Sequence, residues 1–297
     1  MINLIALLLG WLLVGAVAEA APVPLTLGSI SSDPAKEIRR FLPVAQHLAE
    51  QLAPQGIGKG QVVVAADMRE MAALLKSGRV DVYIDSPLTS VVVNQLAGSR
   101  MVLRRWKGGQ AEYRTAIFVK KESPIQNLSQ LAGKLVGFKD AYSSSGYLMP
   151  RIALEQAGLS LVDMSNLRTP VPADKVGYLF TNDRETGIFW VTMGKIAAGA
   201  DSTEAIEKHA KGDRDKLRII HETGALPRHV VNLRGDLPEP QAKALLQILL
   251  TMDQNESGKQ ILAKFEQTAR FDPIPPETQT QLQQMTPTIL AILGEQP

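Results

Sequence analysis

The chain has 297 residues, of which 45% are hydrophobic and 21% charged, with a formal net charge of +2; the apolar share excludes a disordered chain, and so mild a charge without a basic tract excludes nucleic acid as a partner. It contains no cysteine, which excludes thiol catalysis, thiolate metal sites and a disulfide scaffold. Its four histidines (His47, His209, His221 and His229) show no HExxH-like spacing, so no metal or organic cofactor is expected.

In chain order, Ile2 to Val17 is an almost unbroken apolar run followed by Ala18-Glu19-Ala20. This reads as a secretory signal peptide over residues 1–20, cleaved after Ala20, and places the mature protein in the periplasm. No Lys or Arg precedes the run, so a retained membrane anchor is the alternative, against which the run is short for a span. The mature chain opens with a strand, "PLTLGSI", and a helix in "SSDPAKEIRRFLPVAQHLAEQL". There Ile38, Phe41, Leu42, Ala45, Ala49 and Leu52 form one stripe and Pro34 suits a first turn. Ser32 or Asp33 is expected to cap this helix rather than to bind a ligand.

Next come a strand in "QVVVAAD", a helix in "MREMAALLKSG" stopped at Gly78, a strand in "RVDVYIDSP" and a helix in "LTSVVVNQLAG". Strands at Met101–Trp106 and Tyr113–Lys120 flank "RWKGGQ", read as an exposed connection. A short helix precedes the strand Leu135–Phe138. Then follow "KDAYSSSGYLMPRIALEQAGL", a helix in "DRETGIFW" with Phe189 and Trp190 expected in the core, and the small-residue strand "AAGADS". Two short strands surround a turn in "LRIIHETGALPRHVVNLRGDL", and the tail from Pro240 reads as wholly helical, with Ala242, Leu245, Leu246 and Leu249 on one stripe.

Strands alternating with helices of ten or more residues predict βαβ units and mostly parallel sheets. The pattern restarts midway with no long linker, which predicts an α/β clamshell of two lobes joined by crossing strands. The first lobe takes residues 22–117 plus 228–297 with the C-terminal helices, and the second takes 118–227.

The serine stretch carries the most chemistry. The expected helix, Tyr147–Ala157, has Pro150 in its first turn because proline lacks an N–H, which puts Ser143, Ser144 and Ser145 at or just before the N-cap. Free backbone N–H groups and the positive end of the helix dipole converge there, a ready anion site; a plain N-capping serine is the other reading. A nucleophile elbow needs glycines two before and two after the serine, whereas Ser144 has Tyr142 before it and Gly146 after it. A serine hydrolase stays open only through a histidine distant in sequence.

The segment "YSSSGYLMPRIALEQAG" resembles the Ser-Thr-Ser-Gly-Tyr/Phe-Leu-x-Pro segment of the phosphate/phosphite/phosphonate-type substrate-binding proteins of ABC importers. The similarity extends over "VVVAADMREMAALLKSGRVDVYIDSPL", "AEYRTAIFVKKESPIQNLSQLAGKLVGF", "GKIAAGADS" and "ALPRHVVNLRGDLP". This resemblance implies a two-lobed periplasmic-binding-protein type II clamshell with its ligand in the interlobe cleft. It implies ligand-binding roles for Ser143, Ser144 and Ser145, and for Tyr113 as an aromatic lining the cleft. Three positions depart from the family pattern. Met68 stands where relatives often have a tyrosine; Arg184 stands in the place of a histidine, with Glu185 keeping the acid of that segment; and His229 replaces an aspartate that meets an amino group. Glu204 matches a second acid at that end, and Ser86, at a strand end, is a further candidate contact beside a default turn role.

Arginine pairs bidentately with phosphate-like oxygens, and His229 removes a negative charge from the amine end. Both changes favour a small phosphorus oxyanion (phosphate, phosphite or a simple phosphonate) over an aminoalkyl phosphonate. The expected protein is therefore a monomeric, non-enzymatic solute-binding component whose partner is the membrane permease of an ABC transporter. Ligand sensing through a membrane histidine kinase is the alternative.

Overall fold

The structure, a computed structural model, describes residues 23–294; the signal peptide expected over residues 1–20 lies outside them. The chain runs β1 (Val23–Ile30), α1 (Pro34–Gln51), β2 (Ile57–Ala65), α2 (Met68–Lys76), β3 (Val82–Asp85), α3 (Pro87–Ala97) and β4 (Arg100–Arg105). It continues through β5 (Glu112–Tyr113), β6 (Thr115–Lys120), β7 (Leu135–Phe138), α4 (Met149–Gln156), β8 (Ser160–Asp163), β9 (Lys175–Phe180), α5 (Arg184–Thr192), β10 (Ala198–Ser202), α6 (Thr203–His209) and β11 (Leu217–Glu222). Then come β12 (Leu226–Pro227), β13 (His229–Leu233), α7 (Glu239–Thr251), α8 (Glu256–Lys264), β14 (Phe271–Pro273) and α9 (Pro276–Leu293).

Two six-stranded sheets result, in the orders β14-β4-β13-β3-β1-β2 and β11-β6-β10-β7-β9-β8. In the first, β1 runs parallel to β2 and β3, while β13 is antiparallel to β3 and β4. In the second, β10, β7, β9 and β8 are parallel and β6 is antiparallel to β10 and β11. A separate two-stranded ribbon, β5 with β12, pairs Tyr113 with Leu226 and joins the sheets. The boundary expected between residues 117 and 118 falls inside β6. All of β6 is hydrogen-bonded into the second sheet, so the crossing lies at Glu112–Tyr113. Periodicity sees one apolar run there and cannot see that Arg114 separates two strands of different sheets.

Helix α1 shows how packing selects among apolar residues. Asp33 caps it, its carboxylate accepting from the Lys36 N–H at 3.1 Å. The buried face is Phe41, Val44, Ala45, Leu48 and Ala49, while Ile38, at the start of the predicted stripe, is exposed. The helix lies so close to β2 that a Cβ on Gly60 would meet the Ala45 carbonyl oxygen at 2.1 Å, a backbone approach only glycine permits. Phe41 meets Phe265 edge-on, with centroids 4.8 Å apart, tying α1 to the loop after α8. In α5 the core residues are Ile188 and Val191; Phe189, expected inside, is exposed, and Trp190 is half-buried. The tail is not wholly helical, because β14 pairs with β4 between α8 and α9. Strands β8 and β9 were not singled out by periodicity either.

Candidate functional site

The serine stretch opens with a wide helical turn. Ser144–Leu148 is a π-helical segment leading into α4, with Ser143 as its N-cap. Pro150 lies in the first turn of α4, as expected, and the wide turn ahead of it accommodates its missing N–H. The Gly146 carbonyl, which an N–H at residue 150 would take in a regular α-helix, accepts instead from the Lys139 N–H at 2.9 Å. That bond closes the loop onto the end of β7. Gly146 is required for the closure, since a Cβ there would sit 2.5 Å from the Lys139 Cβ and 2.9 Å from the Ser143 Oγ. Beneath the loop, Tyr147 packs against Phe138 and Phe180 with centroids 5.3 and 5.0 Å away.

The three serines do different things. The Ser143 Oγ accepts from the Gly146 N–H at 2.9 Å, which leaves its own proton free. The buried Ser144 Oγ accepts from the Leu88 N–H of α3 at 3.3 Å, a bond between the two lobes, and likewise keeps its proton. Ser145 donates to the Asp201 Oδ1 at 2.8 Å. As first-turn residues, Ser144 and Ser145 have no intrahelical acceptor for their backbone N–H groups. A second interlobe bond runs from the Thr89 Oγ1 to the Tyr142 carbonyl at 2.8 Å, and the Ser86 Oγ shares a 2.9 Å contact with Thr89.

Arg184 is the first residue of α5, and its Nε donates to the Asp201 Oδ2 at 2.5 Å. Burial alone would lower its pKa, but Asp201 overrides that and the net shift is upward, so the guanidinium stays charged. Among the described residues neither of its Nη groups makes a hydrogen bond. Asp201, at the end of β10 and buried, thus holds Ser145 with one oxygen and Arg184 with the other.

The wall facing this loop comes from the first lobe and the hinge. Tyr113 in β5 is buried, and its hydroxyl completes no hydrogen bond. Burial pushes its pKa up, with Arg228 and the nearby Ser144 hydroxyl opposing, so it remains protonated. The Arg228 guanidinium lies 5.2 Å from the Tyr113 ring centroid. His229, the next residue, begins β13 opposite Arg105 in β4. Its Nε2 is 3.4 Å from the Lys107 Nζ, and its buried Nδ1 has no partner. Burial, then Lys107, Arg105, Arg228 and Arg184, hold its pKa well below the usual imidazole value. Arg105 is fully buried, stacked on the Phe265 ring at 3.5 Å and bonded to the Phe265 carbonyl and Thr268. Burial takes its pKa down to about 10 and that of Lys107 to about 8, in both cases against the pull of Glu266. Asp85, accepting from the Ser86 and Ile30 N–H groups, is raised by burial to about 6.

Among the predicted site residues, Ser143 caps the turn that carries Ser144 and Ser145, Ser145 and Arg184 share Asp201, Ser144 lies beside Tyr113, and Arg184 acts electrostatically on His229. Glu204, in the first turn of α6, acts electrostatically on Tyr113 and has a buried, unpartnered Oε2. Ser86 sits at the interlobe contact. Met68, expected as a soft contact in place of a tyrosine, starts α2 and is buried among apolar side chains. Glu185 turns away to the His209 Nδ1, 2.6 Å off. The "RWKGGQ" segment, expected to be an exposed connection, instead contributes buried Arg105 and half-buried Lys107. Asp201, Arg228, Arg105 and Lys107 were missed; the one available signal was their position at strand ends. A surface depression lies elsewhere, lined by Met164–Thr169, Leu179, Phe180 and Trp190, with Arg168 its one charged residue.

Residues 28–278 match the family described as ABC transporter, phosphonate, periplasmic substrate-binding protein. The chain belongs to that family. Its members are substrate-binding proteins rather than enzymes, and its two lobes form a type II periplasmic binding fold. Over 140 residues the chain is 31% identical to the tetrathionate sensor histidine kinase TtrS of Salmonella typhimurium, covering 45% of this chain and 24% of that protein. Over 208 residues it is 27% identical to the phosphate-import protein PhnD of Mycolicibacterium smegmatis, covering 66% of this chain and 61% of that one. The chain thus spans about a quarter and about three fifths of the length of these curated relatives. XAC2383 from Xanthomonas citri, solved bound to chloride ion, superposes with a TM-score of 0.86 at 28% identity, covering 91% of this chain and 98% of that one. The same protein bound to ATP gives 0.85 at 26%, covering 92% and 99%.

Proposed function

We propose that this chain is the solute-binding component of an ABC importer and takes a small phosphorus oxyanion between its lobes. The observation that carries the reading is the serine loop. The Ser144 and Ser145 N–H groups, the Ser143 and Ser144 hydroxyl protons and the Arg184 Nη groups are free donors on two helix starts, the serine turn and α5, joined by Asp201. Such a set matches an oxyanion with several acceptor oxygens. Ser145 is held by Asp201 and Ser144 by Leu88, an arrangement for holding a ligand rather than for attacking one. The lobes close about the β5–β12 ribbon, and the Leu88–Ser144 and Thr89–Tyr142 bonds are the closure contacts. The closed surface is what a membrane permease would recognise.

Titration calorimetry of the protein with phosphate, phosphite, methylphosphonate, sulfate and 2-aminoethylphosphonate tests this. The expected result is binding of at least one of the first three, weakened about tenfold or more by Ser144→Ala. If none of the phosphorus compounds binds at millimolar concentration, the reading is wrong. A sensing role is favoured by one observation, the 31% identity to a segment of a sensor kinase. Genes for a permease and an ATPase beside this one would support import, and a kinase gene would support sensing.

A further inference from the structure

The hydrogen-bond inventory of the first-lobe wall is lopsided. Among the described residues, the buried side-chain atoms left without partners here include the Tyr113 hydroxyl, the Arg105 Nη1 and the His229 Nδ1. Two of these are donors by chemistry. The Lys107 ammonium has only donors, so its 3.4 Å contact makes the His229 Nε2 the acceptor. The imidazole proton then sits on Nδ1, a third buried donor with nothing to donate to.

The charges leave one cation over. Glu266 answers three cations, with Lys107 at 3.0 Å, Arg40 at 3.1 Å and Arg105 at 3.2 Å; Arg40 also has Glu37 at 2.9 Å, and Asp85 acts electrostatically on Lys107. Arg228 has no carboxylate partner among the described residues. Its guanidinium stands over Tyr113, the residue that separates this wall from Ser144 of the serine loop. Buried donors and cations without acceptors are costly unless something supplies the acceptors.

We infer that the cleft takes a ligand with two anionic ends. The phosphorus oxyanion lies at the serine loop, and a second anionic group, a carboxylate or second phosphoryl on a short spacer, lies against Arg228, the His229 Nδ1–H and Lys107. The inference rests on the oxyanion reading above and names the class of compound that site selects. Arg228 is the specificity-determining residue, because its planar fork fits a carboxylate or phosphoryl group bidentately and no protein group competes for it. Glu204, which acts electrostatically on Tyr113 and has an unpartnered Oε2, is the opposing influence and would welcome an amine. Arg228, which alone of these cations has no carboxylate partner among the described residues, decides for the anion.

The test is a calorimetric series on the whole chain with methylphosphonate, phosphonoacetate, pyrophosphate and 2-aminoethylphosphonate, repeated on Arg228→Gln and Arg228→Lys. The expected result is that phosphonoacetate or pyrophosphate binds about tenfold or more tightly than methylphosphonate. Arg228→Gln should bring that ratio close to one, and Arg228→Lys should keep part of it. Because the readout is a ratio within each variant, a general loss of stability does not imitate it. Methylphosphonate binding as tightly as phosphonoacetate and pyrophosphate, or 2-aminoethylphosphonate binding tightest, would overturn the two-anion inference and leave the oxyanion reading standing. Binding of no phosphorus compound would overturn both.

Discussion

The two walls of the cleft are assembled in opposite ways. On the second-lobe side most polar groups come from one unbroken stretch, Lys139 to Leu148, closed by a local bond from the Lys139 N–H to the Gly146 carbonyl. On the first-lobe side they come from five separate places: the end of β3 (Asp85), the end of β4 (Arg105, Lys107), the hinge (Tyr113), the start of β13 (Arg228, His229) and the loop after α8 (Glu266). The local wall satisfies its own carbonyls and presents donors from a helix start. The assembled wall concentrates cations that only the fold brings together, so its stability depends on Glu266 and on the groups stacked around Arg105. A contiguous site tolerates loss of one long-range contact, whereas a dispersed one does not.

The largest expected effect falls on the assembled wall. Arg105→Ala removes one donor from the Phe265 carbonyl, the guanidinium donor from the Thr268 hydroxyl, and one cation from Glu266. It should lower unfolding free energy by about 3–5 kcal/mol, read from urea denaturation; a loss under 1 kcal/mol would show that the cluster is not integral. On the local wall, Arg184→Ala strips buried Asp201 of its cation, so it should cost stability as well as weaken oxyanion binding by about 10–100-fold in calorimetry. Unchanged affinity would remove Arg184 from the site.

Gly146→Ala comes next. The added Cβ collides with Lys139 and Ser143, which should cost about 1–3 kcal/mol in a thermal or urea melt. Because it opens the loop that carries the donors, it should weaken anion binding as well. A stable variant with normal binding would break the view that the loop's closure matters.

The smallest effect is a pH slope. Burial and its four basic neighbours (Lys107, Arg105, Arg228 and Arg184) depress the folded-state pKa of His229. Below its usual value of about 6.5 the unfolded chain then binds more protons at this residue than the folded one, so stability is lost as pH falls through that value. Asp85 works the other way: its pKa is raised to about 6, so the folded state binds more protons between the usual carboxylate range and pH 6 and gains stability as pH falls there. The difference between wild type and His229→Asn isolates the imidazole. The variant should show a flatter loss between pH 7 and 5, by at most about 1.4 kcal/mol per pH unit. Parallel curves would place His229 in solvent.

The same contrast governs what could be read before the fold was known. The serine loop was legible because its chemistry is contiguous: three hydroxyls, a glycine and a proline within eight residues define a helix start. Even there the wide turn was missed, since the choice between a π and an α turn rests on where Lys139 finds its acceptor. The other wall was nearly illegible. Arg105 and Lys107 sit in a segment that composition marks as an exposed connection, and their burial follows from β14 and Glu266 more than 150 residues away. Arg184 pairs with Asp201 rather than with adjacent Asp183 or Glu185, because the end of β10 lies beside the start of α5.

By itself the sequence determined the alternation of strands and helices, the restart that yields two sheets, and the anion-ready start of the helix after β7. Each follows from periods of two to four residues and from local backbone chemistry, which short stretches of chain specify unaided. The tertiary structure alone decided that β6 belongs to the second sheet, that Glu185 faces His209, and that Arg105, Lys107, Arg228 and His229 come together from separate segments. Those outcomes depend on burial and on charges brought near one another from distant parts of the chain, and no local pattern encodes them.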